Sequence, residues 1–154
     1  MSIEIFPVFE NYGEPTFPEY VEWKWLDDCI NKTEETSKQL STTPLSHFLT
    51  YSRQDAFYVG GMTEDEVKEM EDEAELKDGC FYLGDGGKLW SLEPEWFDTQ
   101  EGLQTTRKLL EHLKSYPEQF SDDTNGFIMI LEALENALIQ ARDSGQRFHL
   151  TPLA

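Results

Sequence analysis

The chain has few basic residues and no apolar run long enough to span a membrane. It carries 12 Lys and Arg against 31 Asp and Glu, which gives a formal net charge of -19. Nowhere do about eighteen apolar residues follow one another, the minimum for a membrane-spanning helix. Such an acidic surface repels the phosphates of nucleic acids and anionic lipid headgroups. We therefore expect no nucleic-acid partner and no membrane partner, and the charge favours a basic protein instead.

Cysteine is scarce, and the first residues lack the features of a secretory signal. Met1–Phe9 contains neither a basic region nor a long apolar stretch, and such a signal requires both. On this ground we expect a cytoplasmic protein. In a reducing compartment Cys29 and Cys80 are expected to stay as free thiols, packed as small apolar groups, in preference to a disulfide.

No catalytic or metal-binding motif is present. The histidines His47, His112 and His149 are far apart, and none has a second ligand at the spacing of a zinc site. A Gly-x-Ser-x-Gly elbow is lacking, and neither cysteine has the sequence context of a nucleophile. We predict no metal, no cofactor and no marked catalytic residue. A small hydrolase with carboxylates in unmarked loops remains an alternative, because acids are so abundant that any chosen pair is uninformative.

The clearest structural pattern lies near the C-terminus, where two amphipathic helices follow one another. In the second helix apolar residues recur three and four positions apart, which places them on one helix face. Gly145 is suited to end this helix, and Asp122, Asp123 and Thr124 are suited to cap its start. The apolar face consists of Phe127, Ile130, Leu131, Leu134, Ala137, Leu138 and Ala141.

The first of the two helices is predicted to begin at Asp98 and to end before Pro117. Asp98 and Glu101 have the spacing of a capping box. The short connection to the next helix favours an antiparallel pair, whose apolar faces cover each other or a sheet. The inward face is predicted to comprise Leu103, Thr106, Leu109 or Leu110, and Leu113.

The N-terminal part has weaker patterns. Residues 3–9 favour a short strand, and Pro7 within them indicates an edge strand or an irregular one. Residues 10–19 are predicted to form a loop, since Gly and Pro recur there. Residues 20–30 are compatible with a short helix, but part of this stretch also alternates as a strand does, so the choice stays open.

Three further predictions concern the middle of the chain. Residues 33–43 are polar and rich in Ser and Thr, which favours a mobile surface loop. Thr43 followed by Pro44 is typical of a helix start, so a short helix is expected there. Residues 56–59 are predicted to form a strand that ends at a pair of glycines.

Two signals mark the following segment. Thr63 and Glu66 form a capping box that opens an acidic helix, expected to continue to about Leu76. The pair Asp85-Gly86, between two β-rich runs, indicates a hairpin because both residues tolerate positive φ. Leu89 stands where a phosphate-binding P-loop needs Ser or Thr, so a hairpin turn explains the glycines better. The mixture of elements predicts a single α+β domain over residues 1–154, with a small, mostly antiparallel sheet covered by helices.

Residues 121–132 resemble the calcium-binding loop of EF-hand proteins. Asp123, Asn125, Gly126, Ile128 and Glu132 fit positions 3, 5, 6, 8 and 12 of that loop. Position 1, however, is a serine in place of aspartate, and position 9 is a methionine without a ligand oxygen. An acidic turn that caps the next helix explains the same residues, and we prefer that interpretation.

The highest density of charge lies between residues 64 and 78. Its simpler interpretation is a solvated helix face; its functional interpretation is a surface that steers a cationic protein, with nearby aromatic residues as anchors. We expect core packing for at least two of those aromatics. The acids are Glu64, Asp65, Glu66, Glu69, Glu71, Asp72, Glu73, Glu75 and Asp78. The predicted partner-binding residues are Glu66, Glu69, Asp72, Glu73, Trp90, Trp96 and Phe97.

In composition the chain is similar to small bacterial immunity and antitoxin proteins, which neutralise basic toxins. This similarity implies a non-enzymatic cytoplasmic binding protein, and that is our first hypothesis. The hydrolase with unmarked carboxylates is the second. The third is a domain that self-associates through Ile128 and Ile139, which lie eleven residues apart and so on nearly the same helix face.

Overall fold

A computed structural model describes residues 3–12 and 21–153 and confirms the predicted α+β class. Within these residues the chain forms five α-helices and two antiparallel sheets, of two and three strands. The chain divides into two compact units. The first comprises Met1–Leu49 and Trp96–Ala154, and the second comprises Thr50–Glu95. That both belong to the one predicted domain stays a prediction.

The first unit combines three long helices with a two-stranded sheet. Most of the predicted loop at residues 10–19 lies outside the described residues. The elements are β1 (Glu4–Phe9), α1 (Lys24–Gln39), a short 3-10 helix (Leu45–Phe48), α4 (Thr99–Ser115), a 3-10 turn (Ser121–Asp123), α5 (Thr124–Asp143) and β5 (Phe148–Leu153).

The predicted antiparallel helix pair is confirmed as α4 and α5. Arg107 Nε lies 3.0 Å from Glu135 Oε2, and Gly102 faces Leu138, so residues that advance along one helix meet residues that recede along the other. The predicted apolar faces are inward. The residues with no exposed surface include Leu103, Leu109, Leu113, Phe127, Leu131, Leu134, Ala137, Leu138 and Ala141.

The two helices differ in how they are capped. The Asp98 carboxylate caps the predicted start of α4 by accepting a hydrogen bond of 2.8 Å from the Gln100 N–H, but the capping box predicted with Glu101 is not formed. At the end of α5, Gly145 has φ +68°, and the Gln146 N–H donates to the Ala141 carbonyl at 2.8 Å, which is a Schellman motif. The N-terminal cap predicted for α5 is not formed, because the Asp123 carboxylate binds Lys32 Nζ at 2.7 Å instead.

α1 settles the ambiguity in favour of a helix for residues 24–30 of the stretch 20–30, and it contradicts the loop predicted at residues 33–43 as far as Gln39. The helix continues to Gln39, and one of its buried hydroxyl groups, that of Thr33, has a partner within it. Thr33 donates to the Cys29 carbonyl at 2.6 Å, the i to i−4 bond that lets threonine face a core. Both cysteines are free thiols, and burial raises the pKa of the Cys29 thiol to about 12.

The sheet of the first unit has only two strands, β1 and β5, and this explains why prolines are tolerated in both. β1 and β5 are antiparallel, with Pro7 opposite Leu150 and Pro152 opposite Ile5. A proline has no N–H to donate, so it is tolerated where a strand has a neighbour on one side only. The strand predicted at residues 3–9 and its edge position are confirmed.

Gly102 allows the ring of Phe148 to pack against the backbone of α4. A Cβ atom at Gly102 would lie 2.5 Å from Phe148 Cζ and 3.1 Å from Leu138 Cδ1. Both side chains are buried, so neither can move without disturbing the core. The glycine is therefore required by packing, although it weakens a helix.

We expect Gly102→Ala to lower the free energy of unfolding by about 1 kcal/mol. Overpacking a core costs about 1–3 kcal/mol, which exceeds the gain of about 1 kcal/mol from replacing a helical glycine by alanine. Denaturant unfolding measures the difference. Gln104→Ala, at an exposed position of the same helix, should leave stability nearly unchanged, and a more stable Gly102→Ala variant would show that Phe148 does not pack here.

The second unit has a small core of its own, built from Ala56, Val67, Phe81 and Trp90. Its helices and strands cover this core. They are α2 (Arg53–Tyr58), α3 (Glu64–Asp72), β2 (Glu75–Lys77), β3 (Cys80–Tyr82) and β4 (Lys88–Ser91), with the strands in the order β2-β3-β4.

Two boundaries in the second unit differ from the predictions. The strand predicted at residues 56–59 is wrong, because residues 56–58 belong to α2, which follows a capping box in which the Ser52 N–H donates to Asp55 Oδ2 at 2.8 Å. The acidic helix ends at Asp72 and not near Leu76, since Leu76 lies in β2.

The predicted hairpin of β3 and β4 is confirmed. Its turn is closed by the Leu83 N–H, which donates to the Gly87 carbonyl at 2.7 Å, and Gly86 takes φ +90°. A second hairpin, which we did not predict, joins β2 to β3. Its two turn residues, Asp78 and Gly79, have φ +52° and +78°, as a type I′ turn requires.

Candidate functional site

The acidic helix α3 begins with the capping box that the sequence predicts. The Glu66 N–H donates to Thr63 Oγ1 at 3.2 Å, and the Thr63 N–H donates to Glu66 Oε1 at 3.1 Å. Acids in the first turn also stabilise the positive end of the helix dipole. Only Val67 of this helix is buried, so Glu66 and Glu69 point into solvent, and Glu66 has a structural role in the cap.

The end of α3 carries acids that no basic residue of its last turn balances. Asp72 and Glu73 are exposed and lie at the negative end of the helix dipole, where a carboxylate typically costs about 0.3–1 kcal/mol. Within the described residues, neither makes an ion pair or hydrogen bond. Their placement does not stabilise the helix, and it concentrates negative potential at this end.

Glu71, which directly precedes these acids in sequence, has a structural role that we did not predict. Its carboxylate accepts two hydrogen bonds from Arg53, at 2.8 Å to Nε and 2.9 Å to Nη2. It also accepts one from the indole N–H of Trp90 at 2.9 Å. The Arg53 guanidinium in turn lies 5.5 Å from the centre of the Phe81 ring. Glu71 thus joins α3 to α2 and to the sheet.

An open groove of about 760 Å³ lies beside the end of α3. The connection from α3 to β2 forms one wall, and the β3–β4 turn forms another. Four of its lining residues are acids and one is a lysine. The groove is lined by Asp72, Glu73, Ala74, Glu75, Lys77, Asp78, Tyr82, Leu83, Gly84 and Gly86.

The structure removes Trp90 from the candidate anchors. Its side chain is 2 % exposed and packs in the core of the second unit, so it cannot contact a partner in this arrangement. The spacing of Val67 and Glu71 is consistent with this burial. Residues four apart lie on the same face of a helix, so Glu71, which binds the Trp90 indole, lies on the inward face of α3 with Val67.

Trp96 and Phe97 belong to the first unit and also pack against other rings. Trp96 is half-buried, with its ring centre 4.4 Å from that of His149. The Phe97 ring contacts those of Phe48 and Phe148. The structure therefore brings together Glu69, Asp72 and Glu73 on one exposed surface, and it places these two aromatics in the packing of the other unit.

The segment that resembles an EF-hand loop does not adopt that conformation. α5 begins at Thr124, so most of the twelve residues are helical, whereas the calcium loop wraps its ligands around an ion. Gly126, at the loop's turn position, instead packs against Trp25, whose ring would lie 2.8 Å from an added Cβ atom. In the part of the chain that the structure describes, no three His, Cys, Asp or Glu side chains are grouped as metal ligands.

Among residues 3–12 and 21–153, no helix is both long and apolar enough to cross a membrane. Comparison with protein-family models, curated proteins and solved structures found no match to this chain. The surface at the end of α3 therefore has to be interpreted from its own chemistry.

Proposed function

We propose that the acidic surface formed by the end of α3 and by β2 binds a positively charged protein, and that the chain is a non-enzymatic, immunity-like binding protein. The observation that carries this proposal is the position of Asp72 and Glu73. They are exposed, they have no ion pair among residues 3–12 and 21–153, and they lie at the end of the helix where a negative charge is least favourable. Residues whose placement lowers stability, and that make no compensating interaction, are expected at functional sites.

The groove beside these acids supports the same proposal. Ala74, Tyr82 and Leu83 supply apolar surface among the carboxylates. Charge sets the rate at which a cationic partner arrives, while apolar contact slows its departure. A surface with both components is suited to a protein partner more than to a small cation.

We expect replacement of Glu69, Asp72 and Glu73 by glutamine to slow association with the basic partner about tenfold at low salt, the lower end of electrostatic steering. The partner is isolated from the native host at low salt, and rates are measured by surface-immobilised binding kinetics. Salt should mimic the substitutions, since it screens charges beyond about 8 Å at physiological strength. The variant's stability should not fall, because the acids oppose the helix dipole.

A matched control separates this surface from net charge. Glu111, Glu118 and Asp122 are exposed acids of the first unit, and their replacement by neutral amides changes the net charge by the same amount. This control should leave the association rate nearly unchanged. Equal slowing by both variants would contradict a localised site. Failure to recover a partner, together with turnover of an ester or phosphoester, would favour the hydrolase hypothesis.

A further inference from the structure

We propose that the outer edge of β2 binds an extended basic segment of the partner, which adds to the sheet of the second unit as a further strand. This inference rests on the proposed function and specifies how the partner is held. Addition of a strand to an open sheet edge uses main-chain hydrogen bonds for affinity and alternate side chains for specificity.

The backbone of β2 is open for such pairing. Asp78 and Gly79 form a two-residue turn, so the residues that flank it, Lys77 and Cys80, form a hydrogen-bonded pair. The next pair, Leu76 and Phe81, is then not hydrogen-bonded, and the N–H and C=O of Leu76 point away from β3. No other strand in residues 3–12 and 21–153 pairs with β2.

The side chains of β2 define what the added strand should carry. Leu76 is 52 % exposed and lies on the same face as Phe81, so it offers an apolar contact. Glu75 lies on the opposite face, beside the groove with Asp72 and Asp78. An added strand that alternates apolar and basic residues would cover Leu76 on one face. On the other face it would meet Glu75 and the acids of the groove, among which Lys77 is the one basic residue.

Two alternative roles for this edge fit its residues less well. A short charged edge strand can serve only to prevent association, but an exposed leucine at its centre promotes pairing. A second copy of the chain could pair antiparallel through Leu76, with Glu75 opposite Lys77. That arrangement brings together two chains that each carry a net charge of -19, whereas a basic segment is attracted.

The test uses the full chain and a synthetic seven-residue peptide of alternating lysine and valine, with binding measured by NMR titration. Two further peptides carry N-methyl groups on either the valine or the lysine amides. Antiparallel addition pairs valine amides with Leu76, and parallel addition pairs lysine amides with it. One methylated peptide should therefore bind at least about tenfold more weakly, and the other should bind as the parent does.

Protein variants locate the site. Leu76→Lys places a like charge at the edge and should weaken peptide binding at least about tenfold. Met129→Lys is the matched control, because Met129 is 50 % exposed and lies in α5, so binding should stay unchanged. Amide spectra of both variants show that the fold is retained.

Three results would overturn the strand-addition proposal, each in a recognisable way. If both methylated peptides bind equally while salt weakens binding, the contact is made by charge alone, and the proposed function survives without this inference. If Leu76→Lys dissociates a dimer in sedimentation measurements, the occupant of the edge is a second copy. If neither the peptide nor a basic host protein binds, the proposed function fails as well.

Discussion

Replacement of Leu134 by alanine should lower the free energy of unfolding by about 2–5 kcal/mol, the largest effect expected for this chain. Leu134 has no exposed surface and lies at the centre of the α5 face that packs on α4. Removing its side chain loses transfer free energy and leaves a cavity, because the neighbouring leucines belong to two helices that cannot easily collapse into it.

Denaturant unfolding followed by helical circular dichroism measures the loss. Met129→Ala is the control on the same helix, since Met129 is 50 % exposed and both changes introduce the same residue. The control should change stability by less than about 0.5 kcal/mol. A loss at Leu134 as small as that of the control would mean that the phase of α5 is wrong.

The success of the helix-pair prediction and the failure of the loop prediction have one cause. Leu131, Leu134 and Leu138 indicate a buried face because leucine has no other favourable place in such a pattern. Thr33 and Ser37 are also buried in α1, but hydroxyl groups are common in loops, so the pattern of burial is hidden. The hydrogen bond from Thr33 to the Cys29 carbonyl, which gives one of these hydroxyl groups a partner inside the helix, is visible only in the structure.

The sequence of the second unit contains two local signals, a capping box and a turn, that other patterns outweighed in the prediction. Ser52 and Asp55 have the spacing of a capping box, yet the apolar residues after them suggested a strand. Asp78-Gly79 is as strong a turn signal as Asp85-Gly86, but an acidic helix extended to Leu76 left no room for β2. Because the end of α3 was predicted too late, the edge strand β2 was not predicted. Helix propensity alone does not define the residue at which a helix ends.

The acids of α3 show the limit of sequence reasoning about the site itself. Glu69 and Glu71 both belong to the acidic segment at residues 64–78, and composition alone does not distinguish their roles. In the structure Glu69 is exposed, while the Glu71 side chain is 14 % exposed and bonded to Arg53. Long-range partners decide which acid is structural, and Arg53 lies eighteen residues away in sequence.

Replacement of Glu71 by alanine should therefore destabilise the second unit by about 1.5–3 kcal/mol, the range for hydrogen bonds to charged groups. The change leaves the Arg53 guanidinium without its bidentate partner and the buried Trp90 indole N–H without an acceptor. Because Arg53 is 34 % exposed, water replaces part of the lost interaction, so we expect the loss to stay below that of a fully buried pair.

Glu69→Ala is the control for Glu71→Ala, because it removes the same side chain from an exposed position of the same helix, and Glu69 has no ion pair within the described residues. Arg53→Lys keeps the charge and loses the fork geometry, so its effect should be intermediate. The NMR signal of the Trp90 indole N–H reports on the network directly: it should exchange faster with solvent in Glu71→Ala and remain protected in Glu69→Ala. Equal stability of the two alanine variants, with the indole still protected, would show that Glu71 belongs with the exposed acids. If Glu71→Ala instead loses stability while the partner associates at an unchanged rate, Glu71 supports the fold of the site and does not contribute to its electrostatic attraction.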